Sequence, residues 1–403
     1  MANDGSVAIS GIGLATPQEN SPRELPWTPS KWSISRICYP AVDATLSGGA
    51  RWQALVKKAF ANLGPLTSSI PLFVGSCNGD ASRNWESAFD TSVLLEYTPW
   101  ANERLPVFSS SCASGLHALY AAKQLITAGA IDEALVLAAD ILSQSNHDNF
   151  ESLRVLGEGP SAPWQSPSRG FILGEAAVIL KLVREEDGNF SGPELGSDLL
   201  DYDGLSSLLE AFSPQEPSIV LAQGTGPYGH TLGASGLLSV ALAAQSQSVL
   251  VTCRAMNGAC AATMVGGKSH GKSQRRERSW WKSARPGPLM NQTLRKIASE
   301  ALEHRPSEPP DIFILRMEKP LSPPPSAVIG GRLLPSAVLE ITPGFASQLV
   351  ARCWGFSGPS LCIVGDVDRD PYGLRNSLNE SGSKVFQVNL RGSGENRVIE
   401  WNV

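Results

Sequence analysis

Residues 107–142 place the strongest constraint on the fold. They begin with VFSSSC, an apolar run that ends in serines and a cysteine, and continue into the alanine-rich stretch CASGLHALYAAKQLITAGA (112–130). Gly129 marks the end of a predicted helix, and DEALVLAADIL (132–142) is typical of a buried strand. A strand, a crossover helix and a second strand in this order predict an α/β protein with a parallel or mixed sheet covered by helices on both faces.

The same alternation extends over the first two thirds of the chain. VAISGIGLATP (7–17) and IPLFVGSCNGD (70–80) each indicate a strand that enters a turn, and ARWQALVKKAFANLG (50–64) has helical spacing with a closing glycine. Further on, residues 218–247 indicate a glycine-broken strand and a second alanine-rich helix, and residues 249–267 indicate a strand, a turn and a strand. These patterns predict two similar halves.

A chain of 403 residues is long enough for more than one domain. Four parts are predicted: an N-terminal half that carries Cys112 (1–184), a shortened second half that carries a histidine (185–267), a basic linker or arm (268–290) and a C-terminal region (291–403). The segment 268–290 is basic, low in aliphatic residues and rich in Pro and Gly near its end. It is therefore interpreted as a solvated linker or as a surface that meets an acidic carrier protein.

Composition excludes several classes of function. With 42% hydrophobic residues, 18% charged residues and a formal net charge of -5, the chain resembles a soluble globular protein without a nucleic-acid-binding or anionic-membrane-binding surface. It shows no secretion signal and no apolar run of about 18 residues. Its seven cysteines have no CxxC spacing, which favours free thiols in a reducing cytoplasm. We expect no metal site and no bound cofactor.

Cys112 is the candidate nucleophile. It lies where a predicted strand gives way to a helix, and the unpaired amides and dipole of a helix N-terminus favour a thiolate, so we expect its pKa to be lowered. Ala113, Ser114 and Gly115 leave room for a substrate to approach the backbone. The alternative is that Cys112 is a buried apolar residue, because free cysteine is among the most often buried residue types.

His230 is the candidate partner of Cys112. Among five histidines it alone lies in a glycine-dense turn just before a predicted helix, in GPYGHTLGASG. His117 is predicted to be a packed core residue, and the other three, His147, His270 and His304, occur in polar surroundings typical of a surface. A cysteine and a histidine on equivalent strand-to-helix turns of two similar halves can face one another, as thioester chemistry requires.

Three motifs in this order resemble the β-ketoacyl-acyl carrier protein synthases of the thiolase superfamily: SSSCASGLHALYAAKQLITAG, RGFILGEAAVILKL and GHTLGASG. The resemblance covers about residues 6–267. It implies a thiolase-like five-layered αβαβα fold, to which residues 291–403 would add a small α/β region. It also implies a dimer, with a second copy or with another ketosynthase-like subunit, that places the nucleophile at the foot of an acyl tunnel.

The resemblance assigns roles to individual residues. Cys112 would take an acyl group from the phosphopantetheine of an acyl carrier protein or from coenzyme A, and its backbone amide would supply one oxyanion donor. The second donor would come from the turn RAMNGACAA, which contains Gly258 and in which Met256 replaces the usual gating phenylalanine. His230 would polarise or deprotonate the second substrate.

The sequence departs from the family pattern before His230. Elongating members carry a second histidine, a lysine and a glutamate, at whose positions this chain has Gln223, Thr225 and Ser239. Glutamine donates and accepts hydrogen bonds but does not carry a proton as histidine does. Either Gln223 positions a thioester carbonyl with reduced decarboxylating ability, or the shortened segment removes it from the site. Decarboxylative condensation is therefore less expected than acyl transfer.

The C-terminal region resembles, weakly, the cysteine-bearing half of a chain-length-factor-like synthase. WGFSGPSLCIVGD precedes Val367, which falls where that half would carry its cysteine. The region is either a non-catalytic synthase-related or docking module or an unrelated small α/β domain. The chain as a whole is predicted to be a ketosynthase-like acyltransferase of fatty-acid or polyketide-type biosynthesis. The alternative is a non-catalytic, chain-length-factor-like partner of an active ketosynthase.

Overall fold

The structure is a computed structural model, and all statements below refer to the residues it describes. These are 6–18, 21–25, 27, 37–66, 69–79, 89–98, 105–157, 170–185, 193, 195–200, 227–245, 249–255, 260–266, 289, 291–323, 326, 328–329, 332–333, 335–356, 358–393 and 397–402.

The strands in chain order are Ser6–Ala15 (β1), Arg23–Glu24 (β2), Ile37–Tyr39 (β3), Leu72–Gly75 (β4), Val107–Phe108 (β5), Glu133–Asp140 (β6), Leu173–Gly174 (β7), Ala176–Glu185 (β8), Leu195–Leu200 (β9), Val249–Arg254 (β10), Cys260–Val265 (β11), Ile312–Met317 (β12), Val328–Ile329 (β13), Arg332–Leu333 (β14), Ser360–Val364 (β15), Val385–Arg391 (β16) and Val398–Asn402 (β17). The helices are Gly48–Leu63 (α1), Ser114–Thr127 (α2), Gln144–Ser152 (α3), Ser235–Ala243 (α4), Gln292–Glu303 (α5), Pro335–Glu340 (α6), Pro343–Trp354 (α7) and Leu374–Glu380 (α8).

A nine-stranded sheet organises the molecule, in the order β1-β8-β6-β4-β5-β15-β12-β16-β17. Strands β6, β4 and β5 run parallel, and β8 and β1 are antiparallel to their neighbours, so the sheet is mixed as predicted. Helix α1 packs on one face of β6 and β8, and helices α2 and α4 pack on the other. Strand β6 is buried along almost its whole length because both of its faces are covered.

A second, three-stranded sheet, β10-β11-β9, packs on the far side of α2 and α4. The described residues therefore stack a helix, the large sheet, two helices and the small sheet, in the order of the predicted αβαβα layers. A fifth, outer helical layer is not among the residues that the structure describes. None of the helices in these ranges is both long and apolar enough to cross a membrane.

The C-terminal region is α/β, as the sequence predicted, and its strands extend the large sheet. Strands β12, β15, β16 and β17 all join it, and β15 pairs antiparallel with β5 through Phe108–Ile363 and Val107–Val364. One hydrophobic cluster includes residues of α2 and α4 together with Ile314, Leu361 and other residues of the C-terminal region. The domain boundaries stay predictions, since most of the residues next to them, including the basic segment 268–290 except Leu289, lie outside the described ranges.

The two sides of the β5–β15 pair have the same topology. Strand β4 lies between β5 and β6, and β12 lies between β15 and β16, with parallel pairing in both sets. An approximate two-fold axis therefore lies at the paired residues of β5 and β15. With the Phe108–Ile363 pair as its centre, Cys112 and Val367 correspond, because each lies four residues after its member of the pair. The position of Val367 as the counterpart of the cysteine stays a prediction.

Candidate active site

Cys112 lies in the turn that connects β5 to α2. Ser111 adopts a left-handed conformation (φ 53°), which is uncommon outside glycine and turns the chain sharply before the cysteine. The turn is fixed by two hydrogen bonds, from the Ser110 amide to Ser114 Oγ (2.9 Å) and from the Ala113 amide to the Ser110 carbonyl (3.2 Å). From the small sheet, the thiol of Cys253 donates to the Cys112 carbonyl at 3.1 Å. Cys112, the candidate nucleophile, is thus held by both sheets.

His230 is fixed by strand β7, which belongs to the RGFILGEAAVILKL motif. Its amide donates to the Ile172 carbonyl (2.8 Å), and its carbonyl accepts from the Gly174 amide (3.0 Å). A side chain at Gly174 would place its Cβ only 2.0 Å from the carbonyl oxygen of Tyr228, so this close approach of two backbones requires glycine. The motif therefore acts on the site through the histidine that it positions.

The two predicted residues meet. Cys112 Sγ lies 3.1 Å from His230 Nε2, and each residue is 6% exposed. The rings of Phe171 and Phe150 pack edge-on against the imidazole, with centroid distances of 4.7 and 6.2 Å. A thiol and an imidazole in contact inside an apolar enclosure can exchange a proton or share one through a hydrogen bond.

The electrostatics of the pair differ from the sequence prediction. Burial, and after it the nearby Asp140 carboxylate, raise the pKa of Cys112 to about 12, and its own backbone N–H acts in the opposite direction. Burial also lowers the pKa of His230 to about 4. The expectation of a lowered thiol pKa is wrong for the free protein, because loss of solvation outweighs the effect of the helix N-terminus. At neutral pH the resting pair is a thiol and a neutral imidazole.

Asp140, at the end of β6, joins the two sides of the site. Its carboxylate accepts hydrogen bonds from Ser76 Oγ (2.7 Å) and from the amides of Cys77 (2.9 Å), Asn78 (3.1 Å) and Gly233 (2.8 Å). Burial raises the pKa of this carboxyl to about 6, and these hydrogen bonds act in the opposite direction. Asp140 therefore connects the loop after β4 to the turn that follows His230, and no motif in the sequence indicated this role.

Two hydroxyl groups lie behind the histidine. Ser235 Oγ is 3.3 Å from His230 Nδ1, 3.1 Å from the Thr231 amide and 3.1 Å from Thr231 Oγ1. Both side chains are fully buried. Sequence reasoning missed them, although Ser235 belongs to the quoted GHTLGASG motif and lies one helical turn beyond the histidine.

A pocket of about 440 Å³ opens beside Cys112. Cys77, Cys112 and Phe150 line it from the N-terminal half, and Val338 and Ile341 line it from the C-terminal region. Part of this volume is open to solvent, and its walls are mainly apolar, as in pockets that hold small ligands. The region that was predicted to be a separate module therefore contributes to the wall of the candidate site.

Most of the other predicted site residues, Gln223, Thr225, Met256 and Gly258, lie outside the described residues, and their roles stay predictions. Ser239, at the position of the family's glutamate, is buried in α4 and donates to the Ser235 carbonyl at 3.0 Å. This bond lies along the helix backbone and does not reach the imidazole ring.

The remaining described histidines divide as follows. His117 is buried, as predicted, and His304 is exposed on the surface. His147 is buried and its ring lies against that of Trp27, so the prediction of a surface position is wrong. The side of helix α3 that carries His147 faces the interior. Possible ligand atoms of His147, Asp148 and Glu151 lie within 4.8 Å of one another. The expectation that the protein has no metal site stays a prediction.

Comparison with known proteins matches the nucleophile region to a family. Residues 106–188 match the model described as "Beta-ketoacyl synthase, N-terminal domain". This stretch includes Cys112, helix α2 and strands β6 to β8. No curated protein sequence matches the chain.

Several solved structures are similar in fold. The ketosynthase ApeO in complex with its chain length factor ApeC, from Xenorhabdus doucetiae, gives a TM-score of 0.51 at 16% identity, covering 65% of this chain and 98% of that one. The ishigamide ketosynthase/chain length factor gives a TM-score of 0.54 at 14% identity, covering 66% and 100%.

A third similar structure spans almost the whole molecule. The PfaC keto synthase-chain length factor gives a TM-score of 0.66 at 11% identity and covers 97% of this chain and 74% of that one. At these identities the likeness concerns the fold, which includes the large mixed sheet and the C-terminal strands. The chain thus has the thiolase-like fold of ketosynthases and chain length factors, and its residues 106–188 are similar to the N-terminal domain of β-ketoacyl synthases.

Proposed function

We propose that this protein is a ketosynthase-like acyltransferase that carries an acyl group on Cys112. The observation that carries the proposal is the 3.1 Å contact between Cys112 Sγ and His230 Nε2 beside a pocket of about 440 Å³. A buried thiol in contact with an imidazole, next to space for an apolar chain, supports covalent acyl transfer.

In the first half-reaction, Cys112 Sγ attacks the carbonyl carbon of an acyl thioester on a carrier-protein phosphopantetheine or on coenzyme A. A new C–S bond forms, the bond to the donor sulfur breaks, and the thiol proton of Cys112 ends on the leaving sulfur. Because the resting thiol has a pKa of about 12, the proton must leave as the C–S bond forms, and little thiolate exists beforehand.

In the second half-reaction, His230 faces the incoming group, since its Nε2 is the ring atom directed at the acylated sulfur. Two outcomes stay open: carbon–carbon condensation with loss of carbon dioxide, and plain acyl transfer to another acceptor. Gln223 at the position of the family's second histidine favours plain transfer. Release of labelled carbon dioxide from malonyl-carrier protein distinguishes them, and brisk release that Cys112→Ala abolishes would identify a condensing enzyme.

The C-terminal region acts, in this proposal, as the non-catalytic half of a ketosynthase pair built into the same chain. Support comes from the antiparallel β5–β15 pairing, from Val367 at the position that corresponds to Cys112, and from Val338 and Ile341 in the pocket wall. The structures of ketosynthases with chain length factors that resemble this fold add to that support. On this basis the acyl chain extends from Cys112 towards helix α6.

Intact-mass measurement of the full chain after incubation with acyl-carrier protein or acyl-coenzyme A tests the proposal. One acyl adduct is expected on the wild type and on Cys77→Ala, and none on Cys112→Ala. Cys77 is the matched control because it is a second buried cysteine that lines the same pocket. An adduct that persists in Cys112→Ala would overturn the proposal.

A non-catalytic role, as a chain-length-factor-like partner of another ketosynthase, is the second candidate. The raised pKa of Cys112 favours it, because the free protein holds an unactivated thiol. Under this candidate the isolated protein takes up no acyl group, whereas adding an active ketosynthase changes the chain length of that enzyme's product.

A further inference from the structure

The hydroxyl groups of Ser235 and Thr231, on the Nδ1 side of His230, influence which ring nitrogen carries the imidazole proton. Among the described residues, Ser235 Oγ has three polar neighbours: the Thr231 amide, Thr231 Oγ1 and His230 Nδ1. A serine hydroxyl has one proton to donate and two lone pairs to accept with. The Thr231 amide is always a donor and therefore occupies one lone pair. The remaining lone pair and the single proton are divided between Thr231 Oγ1 and the imidazole.

Two arrangements satisfy this count. In the first, Ser235 donates to His230 Nδ1 and accepts from Thr231 Oγ1, so that the ring proton lies on Nε2 and points at Cys112 Sγ. In the second, Nδ1–H donates to Ser235, Ser235 donates to Thr231 Oγ1, and Nε2 accepts from the thiol of Cys112. The observed distances alone are compatible with both arrangements.

The difference lies in which proton is left without an acceptor. The second arrangement leaves the Thr231 hydroxyl proton without one among the described residues, in a side chain that is fully buried. The first leaves only the S–H proton of Cys112, which is a weak donor. A buried hydroxyl proton without an acceptor costs more free energy than a buried thiol proton without one, so the first arrangement is the more stable one.

We infer that Ser235 is a positioning residue that holds neutral His230 with its proton on Nε2. The imidazole then acts as a hydrogen-bond donor directed at the sulfur of Cys112. Once Cys112 is acylated, the same N–H faces the second substrate, where it stabilises negative charge that develops on an oxygen. The burial that lowers the pKa of His230 is consistent with this neutral form. The significance for turnover rests on the proposed function, whereas the position of the proton does not.

Nitrogen-15 NMR of the full chain labelled at histidine tests the inference without any substrate. The His230 signals are identified by their loss in His230→Gln. In the wild type we expect a protonated Nε2 and an unprotonated Nδ1. Within the part of the chain that the structure describes, Thr231→Val leaves His230 Nδ1 as the only acceptor for the Ser235 hydroxyl. This variant supplies the reference spectrum, and its spectrum and that of the wild type are expected to agree. A wild-type spectrum with a protonated Nδ1 overturns the inference.

Ser235→Ala removes the hydroxyl that donates to Nδ1 and is expected to shift the nitrogen-15 signal of Nδ1, because the lone pair of this unprotonated nitrogen loses its hydrogen bond. Turnover with acyl substrates should fall about five- to tenfold, the effect of losing one neutral hydrogen bond. Ser239→Ala is the matched control: it deletes a buried hydroxyl from the same helix, one that donates to the Ser235 carbonyl, and it should leave the spectrum unchanged.

The NMR test of the proton position and the acylation test of the proposed function have independent outcomes. An unchanged spectrum in Ser235→Ala overturns the inference whether or not the protein has activity. If the wild type takes up no acyl group, the proposed function fails while the spectra still decide the position of the proton. If Ser235→Ala does not fold, the comparison of wild type with Thr231→Val still decides the inference.

Discussion

At corresponding places in the two halves of the large sheet, β4 carries a glycine and β12 an arginine. Gly75 lies opposite Phe108, and Arg316 lies opposite Ile363, so the two occupy the same position relative to the two-fold axis. A Cβ at Gly75 would come within 2.7 Å of the Ser114 carbonyl oxygen. The glycine therefore lets the start of α2, and with it the Cys112 turn, lie directly on the sheet.

In the C-terminal region, the Arg316 side chain occupies the corresponding space. Its guanidinium donates to the carbonyl of Asp366 at 2.6 Å and to the carbonyl of Arg369, and so binds the segment that contains Val367. The difference shows that one architecture supports two outcomes. Gly75 leaves space for the Cys112 turn on the sheet, and the Arg316 side chain fills the corresponding space and binds the segment that contains Val367.

Exchanging the residues at positions 112 and 367 should have the largest effect on acyl loading. Cys112→Val should lower acyl loading by at least about 10³-fold, because the nucleophile is lost. Val367→Cys on the Cys112→Val background should not restore loading, since the new thiol would lie in the segment bound by Arg316 and away from His230. Intact mass measures both, and an acyl adduct on residue 367 would contradict the asymmetry.

His230 should show the next largest effect. The only histidine within 291–403, His304, stacks on Trp401 at 5.1 Å, so the C-terminal half has no residue in the same role. His230→Ala should lower turnover by about 10²-fold or more while acyl loading falls less than turnover, because the imidazole serves mainly the second substrate. Single-turnover loading and steady-state rates measure the two steps. Turnover within a few-fold of the wild type would remove His230 from the mechanism.

Ile341 tests whether the C-terminal half shapes the pocket. Ile341→Trp should shorten the preferred acyl chain and lower loading of long chains about tenfold, because the larger ring fills space beside Cys112. Leu302→Trp, at an exposed position on α5, is the control and should leave the preference unchanged. Competition between acyl thioesters of different lengths, followed by mass spectrometry, gives the preference. An unchanged preference in Ile341→Trp would show that the chain lies elsewhere.

The smallest effect concerns Asp140, which corresponds to Arg391 across the two-fold axis. Asp140 is buried and raises the pKa of Cys112, whereas Arg391 is partly exposed and pairs with Asp368 and Glu400. Asp140→Asn removes a negative charge, lowers the thiol pKa and should speed alkylation of Cys112 by iodoacetamide about two- to fivefold between pH 7 and 9.

The gain from Asp140→Asn should vanish below about pH 6, where the wild-type carboxyl is itself protonated. Asp132→Asn, which changes the same charge at a 90% exposed side chain, is the control and should react as the wild type does. Equal alkylation rates for Asp140→Asn and the wild type at every pH would show that the carboxylate exerts no influence on the thiol.

Local patterns predicted the elements around the nucleophile well. The strand–helix–strand unit of residues 107–142 follows from periodicity and turn chemistry, which are local in the sequence. The meeting of Cys112 with His230, 118 positions apart, was expected from their equivalent turns and from the resemblance of their motifs to those of ketosynthases. The predicted pKa direction of Cys112 was wrong because its burial depends on distant residues such as Phe150 and, in the small sheet, Cys253. These surroundings are assembled from distant segments.

The place of the C-terminal region was missed for the same reason. Strand β15 pairs with β5 across most of the chain, and an apolar pentapeptide such as SLCIV does not specify its partner strand. The roles of Asp140 and Ser235 also depend on tertiary geometry: each is an ordinary residue of a strand or a helix until Gly233 or His230 is brought beside it.

The pairing of Phe108 with Ile363 also sets the order in which the protein is completed during synthesis. The two residues are 255 positions apart, so at translation rates of about 5–20 residues per second the ribosome delivers β15 roughly 10–50 s after β5. Throughout that interval the nascent chain presents β5 as an open edge, which other unfinished chains can pair with. A nascent chain that carries Cys112 and His230 but not yet β15 is therefore a target for chaperones, and the pocket wall is complete only after helix α6 has left the ribosome.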